Sequence, residues 1–177
     1  KQYSKDGVIW ADYECTFPEL SQNTTLYGHN WHNIYTPRTQ ANMQANDLMF
    51  SLVMSYNYTD FAQENPFVYF STTEQDYVFQ VFASYYTDLN FGYNYAQMSQ
   101  EDFQKVIAEA KAKSLSNYNV PVTSEDKIVT LSTCTRVHGN TNNQRFVVMA
   151  KLVPVGTPST TISTHSNPIA YNSSIDA

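Results

Sequence analysis

Two β-branched runs, DKIVTLSTC (126–134) and RFVVMAKLV (145–153), stand on either side of the polar loop TRVHGNTNNQ (135–144), and no other feature narrows the fold as much. Val, Ile and Thr carry two heavy atoms on Cβ, which crowd a helical turn but pack well on a pleated sheet. Such runs, joined by a short polar connection, predict two adjacent, paired strands. PFVYFST (66–72) and DYVFQVFASYYTD (76–88) flank the polar TTEQ and predict a hairpin. Upstream, DGVIWADYE alternates around Val8, Ile9 and Trp10 and reads as a strand entering from a Gly turn. NTTLYGHN supplies another strand, Thr24 to Tyr27, stopped by Gly28.

Helices are fewer. Between Gln44 and Tyr56, Leu48, Met49, Leu52, Val53 and Tyr56 recur at helical spacing and predict a short amphipathic helix. SQEDFQKVIAEAKAKSL (99–115) is the strong case: Ser99 occupies the N-cap position with Asp102 three residues on. Phe103, Val106, Ile107, Ala110 and Leu115 share one face, and Lys111 and Lys113 lie near the negative end of the helix dipole. From Pro154 onward the chain turns to Pro, Ser, Thr and Asn, too polar to bury a core of its own, so 154–177 reads as a tail or linker. With 177 residues there is room for one sizeable core. Strands dominate without regular strand–helix alternation, which points to a mainly β protein, a closed or partly closed barrel with helices on its edge.

Composition removes several function classes. Net charge is −6 with no basic run, so the electrostatic footprint of a nucleic-acid binder is missing. No apolar stretch approaches the roughly 20 residues of a membrane span, so the expectation is a soluble protein or one whose anchor precedes Lys1. Cys15 and Cys134 are too few for a disulfide framework, although one bridge between them is conceivable. His29-x-x-His32 lacks the Glu and third ligand of a zinc hydrolase, and neither a metal nor a cofactor is expected.

Three chemistry-bearing residues recur at predicted strand ends: His29 just after a strand, Cys134 at the end of one, and Arg145 at the start of the next. A thiol that attacks a carbonyl needs a proton-accepting partner, a donor for the leaving amine, and donors for the developing oxyanion. Cys, His and Arg meet those needs. Each also has a plainer reading: the Cys as a small buried hydrophobe, the His as a loop anchor, the Arg as a solvated strand-edge residue. On composition and spacing both readings stand.

The strings TLYGHN, TLSTC and RFVVMAKLV, in that order and separated by β-rich sequence and one helix, resemble the sortases, class B in particular. GVIWADYE, NDLMFSLVMSY and YVFQVFASYYTD extend the similarity over roughly residues 5 to 153. The resemblance implies a closed eight-stranded sortase barrel with a short helix after the His segment and a longer one before the Cys strand. It implies a catalytic domain over 1–153, with N-terminal helices and the first strand of such proteins lying upstream of this chain. Its implied activity is cysteine transpeptidation: cleavage of an LPxTG- or NPxTN-type sorting motif after Thr, a thioacyl-enzyme, and transfer to an amine. The implied partners are a sorting-motif surface protein or pilin and, as acceptor, a cell-wall precursor amine or a pilin lysine, outside the membrane of a Gram-positive bacterium. Cys134 matches the nucleophile, His29 the histidine and Arg145 the arginine, with the Thr135 N–H as a further oxyanion donor. Ser132, Thr133, Thr135, Thr87, Phe91 and Tyr93 are candidate substrate contacts. Thr135 departs from the acidic residue often found after the nucleophile. His32 and His138 read as solvent-facing, and Cys15 as structural. A non-catalytic surface module on the same scaffold and a hydrolysing cysteine protease are the rival readings.

Overall fold

The computed structural model describes residues 4–175. Eight strands form, six of them in one sheet: β1 (Trp10–Ala11), β2 (Asn23–Tyr27), β3 (Phe67–Ser71), β4 (Asp76–Asp88), β6 (Ile128–Cys134) and β7 (Gln144–Val153). Their order across the sheet is β1-β2-β6-β7-β4-β3, while β5 (Ser116–Asn117) and β8 (Ser163–Thr164) pair separately. The two runs that open the sequence reading pair antiparallel, Ile128 opposite Lys151 through Cys134 opposite Arg145. The expected hairpin is β3–β4, from Phe67 opposite Gln80 to Ser71 opposite Asp76.

The expected closed barrel is an open sheet instead. Among the described residues no ladder joins edge strand β1 to edge strand β3. β1 is only two residues long, too short to carry closure. Contacts outside any ladder bridge the ends: Phe17, between β1 and β2, meets Phe70 of β3 at 6.0 Å, and the Tyr77 hydroxyl of β4 donates to Pro18 O at 3.2 Å. The alternation read around Val8, Ile9 and Trp10 therefore gives little strand, and all three side chains stay exposed.

β4 is the spine of the core. It pairs with β7 on one side and β3 on the other, with a bulge between Val81 and Ala83. Its last ten residues are buried nearly without interruption, because helix α2 (Gln100–Lys113) covers one face with Phe103, Val106, Ile107 and Ala110. The expected cap of α2 forms: Ser99 Oγ accepts from the Asp102 amide at 3.0 Å. The other expected helix does not start at Gln44. Met49 adopts φ 54, a left-handed conformation that cannot continue a helix, so the chain turns there. A 3-10 helix over Ser51–Asn57 and the short α1 (Thr59–Glu64) follow, burying Met54, Tyr56, Phe61 and Ala62.

One buried side chain ties the sheet to the loop after β4. Asn23 of β2 donates through Nδ2 to the carbonyls of Tyr93 (2.8 Å) and Tyr95 (3.2 Å), and its Oδ1 accepts from Thr130 Oγ1 at 2.7 Å. Residues 154–175 form no separate unit; they run along the domain with Ile162 buried and β8 paired to β5.

Truncation of either anchor tests this packing. Phe103→Ala leaves a cavity between α2 and β4 and should lower unfolding free energy by about 3–5 kcal/mol in denaturant titration. Asn23→Ala leaves two carbonyls and a hydroxyl unpartnered and should cost about 2–3 kcal/mol; a loss under about 0.5 kcal/mol in either variant contradicts the packing described.

Candidate active site

The site is set by strand register. β2 runs parallel to β6, with Tyr27 opposite Ser132, so Gly28 and His29 emerge beside Thr133 and Cys134. Two bonds fix the junction: the Gly28 amide donates to Ser132 O (3.4 Å) and Thr133 Oγ1 donates to Gly28 O (2.7 Å). Across the other edge of β6, Cys134 pairs with Arg145 of β7. Three neighbouring strands thus bring His29, Cys134 and Arg145 to one end of the sheet.

There the three residues line one cavity of about 440 Å³, together with Trp10, Tyr27, Leu89, Phe91, Tyr93, Asn94, Ser132 and Thr133. A second cavity, about 270 Å³, opens on the other side of His29 and Cys134 and is lined by Trp31, Ile34, Thr135, Arg136 and Asn142. Cys134 and His29 line both cavities. Neither lining contains an Asp or Glu. Among the described residues, Arg145 is the one Lys or Arg side chain that lines the first.

The His29 imidazole is held by shape. Trp10 and Trp31 flank it at ring-centroid distances of 5.4 and 5.1 Å. Gly7 lies against it with φ +76, and a Cβ there would fall 2.5 Å from His29 Cδ2. Behind the ring, the buried Asn30 donates to Cys134 O at 3.4 Å and accepts from the Asn33 amide at 2.9 Å, tying the His loop to the Cys strand. Among the described residues no protein group bonds the imidazole nitrogens.

Arg145 spends one nitrogen on its own loop: Nη1 donates to Asn142 O (2.9 Å) and Gln144 O (2.8 Å). It makes no ion pair among the described residues. Its charge is felt inside the cavity. Burial raises the Tyr93 phenol above its ordinary range, while the hydrogen bond to Ser132 Oγ (2.8 Å) and the Arg145 charge pull it back. Cys134 and Cys15 are both free thiols, so no bridge occupies Cys134. Cys15 lies near the carbonyls of Asn23 and Thr25, with its thiol pushed up by burial.

Of the candidate contacts, Ser132, Thr133, Phe91 and Tyr93 line the main cavity and Thr135 lines the second. Thr87 does not reach either: it is fully buried in β4, opposite Arg145. The Thr135 N–H, expected as an oxyanion donor, is already given to Gln144 O at 3.3 Å, and the next amide, Arg136, to Ile34 O at 2.7 Å. His32 and His138 are both exposed, as expected; the His138 ring packs between Tyr86 and Tyr171, outside both cavities. Sequence reasoning gave no site role to Asn23, Asn30, Trp10 or Trp31. Asn30 was adjacent to a singled-out residue in YGHN, but buried clamping of this kind leaves no periodic signal.

A mainly β domain with His, Cys and Arg on adjacent strand ends is the architecture of a sortase, and the chain belongs to the sortase family, the Sortase domain matching residues 1–153. Its relatives place it in class B. Sortase B of Staphylococcus aureus is 30% identical over 156 residues, covering 88% of this chain and 58% of the relative. Sortase B of Listeria monocytogenes is 29% identical over 151 residues, covering 85% and 56%. A Staphylococcus aureus sortase B–substrate complex superposes with a TM-score of 0.71 at 29% identity, over 88% of this chain and 66% of that one. The chain thus spans a little over half the length of the curated relatives it matches.

The close approach of Gly7 yields a direct test of how His29 is held. Gly7→Ala adds a Cβ where only 2.5 Å is available and at a φ that disfavours L side chains. The His29 ring resonances should shift in NMR spectra and stability should fall by about 1–3 kcal/mol. An unmoved His29 would show that the ring is positioned by the tryptophans alone.

Proposed function

We propose that the chain carries the catalytic domain of a class B sortase, a cysteine transpeptidase that joins a sorting-motif protein to an amine. The observation that supports this best is that His29, Cys134 and Arg145 line one cavity, while His29 and Cys134 also line a second. A separate space beside the thioester lets the acceptor amine approach while the acyl group occupies the first.

In this reading the sorting peptide lies in the larger cavity. Cys134 Sγ, as the thiolate, attacks the Thr carbonyl carbon, and the negative charge that develops on its oxygen faces Arg145. A guanidinium keeps its charge at any working pH and offers forked donors, so it stabilises the oxyanion as it forms. With the Thr135 and Arg136 amides committed elsewhere, Arg145 carries that task. The C–N bond then breaks, and His29 gives its proton to the departing amine. A thioester remains on Cys134. The acceptor amine enters, His29 takes its proton, the amine attacks the thioester carbon, and the thiolate leaves to restore the enzyme. Phe91, Tyr93 and Ser132 shape the wall against the motif, Thr133 lines it beside the thiol, and Thr135 faces the acceptor side. Thr87 supports Arg145 from the neighbouring strand.

The donor is a surface protein with an LPxTG- or NPxTN-type motif and the acceptor an amine of the cell-wall precursor, at the outer face of a Gram-positive membrane. No helix among the described residues is long and apolar enough to cross a membrane.

A labelled sorting peptide incubated with a small amine should give the amide product. Cys134→Ala should abolish it, His29→Ala should do nearly so, and Arg145→Lys should lower kcat by about 10²–10³. Cleavage at an unchanged rate without amide product would make the protein a hydrolase. Full activity in Cys134→Ala would remove the mechanism.

A further inference from the structure

The segment beyond the sortase domain match is poor in apolar residues, yet it is bonded closely to the C-terminal end of α2. The amides of His165 and Ile169 donate to Leu115 O and Ala112 O, each at 3.0 Å, and His165 Nδ1 donates to Ser114 O at 2.7 Å. Carbonyls at a helix end have no partner within the helix, and here the tail supplies them. Lys113 extends the same clamp. Its buried ammonium meets Glu109 at 3.4 Å and donates to the carbonyls of Ala170 (3.4 Å), Tyr171 (3.0 Å) and Ser173. It also stands 5.6 Å over the ring of Phe91, a wall of the main cavity.

Past the clamp, the tail reaches the loop between Cys134 and Arg145. Tyr171 lies flat on His138, centroids 4.4 Å apart and planes 8° from parallel, while Tyr86 meets His138 edge-on at 4.8 Å. The imidazole is thus gripped between tail and β4. The His138 amide donates to Gln144 Oε1 (3.0 Å), and Gln144 Nε2 donates to Gly139 O (2.9 Å) and Thr141 Oγ1 (2.6 Å). Gln144 O in turn accepts from the Thr135 amide (3.3 Å) and from Arg145 Nη1 (2.8 Å). A continuous chain of contacts therefore runs from Tyr171 to the Arg145 guanidinium.

We propose that residues 165–173 form a strap that positions the active site, with Tyr171 as the positioning residue: stacked on His138, it fixes the 135–144 loop and, through Gln144, the Arg145 guanidinium. The consequence for turnover rests on the transpeptidase reading above; the consequence for the loop does not. A loop rich in Asn and Gly has many conformations to lose, and an aromatic stack on its exposed imidazole shifts its opening equilibrium several-fold.

The test compares the full chain with Tyr171→Ala and Tyr171→Phe by amide hydrogen exchange and by transpeptidation kinetics. In Tyr171→Ala, exchange within 135–144 should rise about threefold to tenfold, kcat should fall by a similar factor, and KM for the sorting peptide should stay within about twofold. Tyr171→Phe keeps the stacked ring and should match wild type in both measurements. Unchanged exchange in Tyr171→Ala, a uniform rise over the whole domain, or a Tyr171→Phe variant as loose as the alanine variant would each overturn the strap. Faster loop exchange with kcat unmoved would overturn its positioning role. A wild-type chain that forms no amide sinks the transpeptidase reading instead, and the exchange data still decide whether the strap holds the loop.

Discussion

The parallel pairing of β2 with β6 is the interaction on which the site depends. Antiparallel β6 and β7 alone bring Cys134 opposite Arg145. Only the β2–β6 register, five residue pairs from Asn23–Ile128 to Tyr27–Ser132, carries His29 to the same sheet end. A slip of one residue would turn each β2 side chain to the opposite face. Register is guarded from within by Asn23 and from the end by the Thr133–Gly28 bond. Asn23 does double service, because its amide also holds the backbone at Tyr93 and Tyr95 and so places one wall of the cavity.

The cavity's electrostatics follow from what surrounds it. Among the described residues the lining holds the Arg145 guanidinium and no Asp or Glu, which favours negative charge developing on an oxygen there. Ser132 and Tyr93 pair hydroxyl to hydroxyl across the wall, which satisfies both without competing for Arg145. Among the described residues no carboxylate orients the His29 imidazole; two indole rings and an adjacent glycine do so by contact.

Legibility in the sequence tracked how local each cause was. The β3–β4 hairpin, the β6–β7 pair and the Ser99 cap of α2 rest on short-range patterns and were readable. The helix expected from Gln44 failed where one left-handed residue, Met49, interrupts an otherwise helical spacing. The closed barrel failed because β1 gives only two residues of ladder, which its alternating apolar residues do not reveal. That His29, Cys134 and Arg145 share one cavity was legible by motif, but the commitment of the Thr135 amide to Gln144 was not, since loop hydrogen bonds leave no pattern in composition. The tail shows the same limit. Its Ser, Thr and Pro content signals a segment without a core of its own; helix-end carbonyls and the buried Lys113 hold it, neither of which its own sequence announces.

The account turns on whether the Cys134 sulfur takes the acyl group. Mass spectrometry of an acid-quenched reaction with a sorting peptide reads this directly. The digested peptide containing Cys134 should gain the mass of the motif through its threonine, with Cys15 unmodified. An unshifted Cys134 peptide while the sorting peptide is being cleaved, or an adduct on another residue, would contradict it.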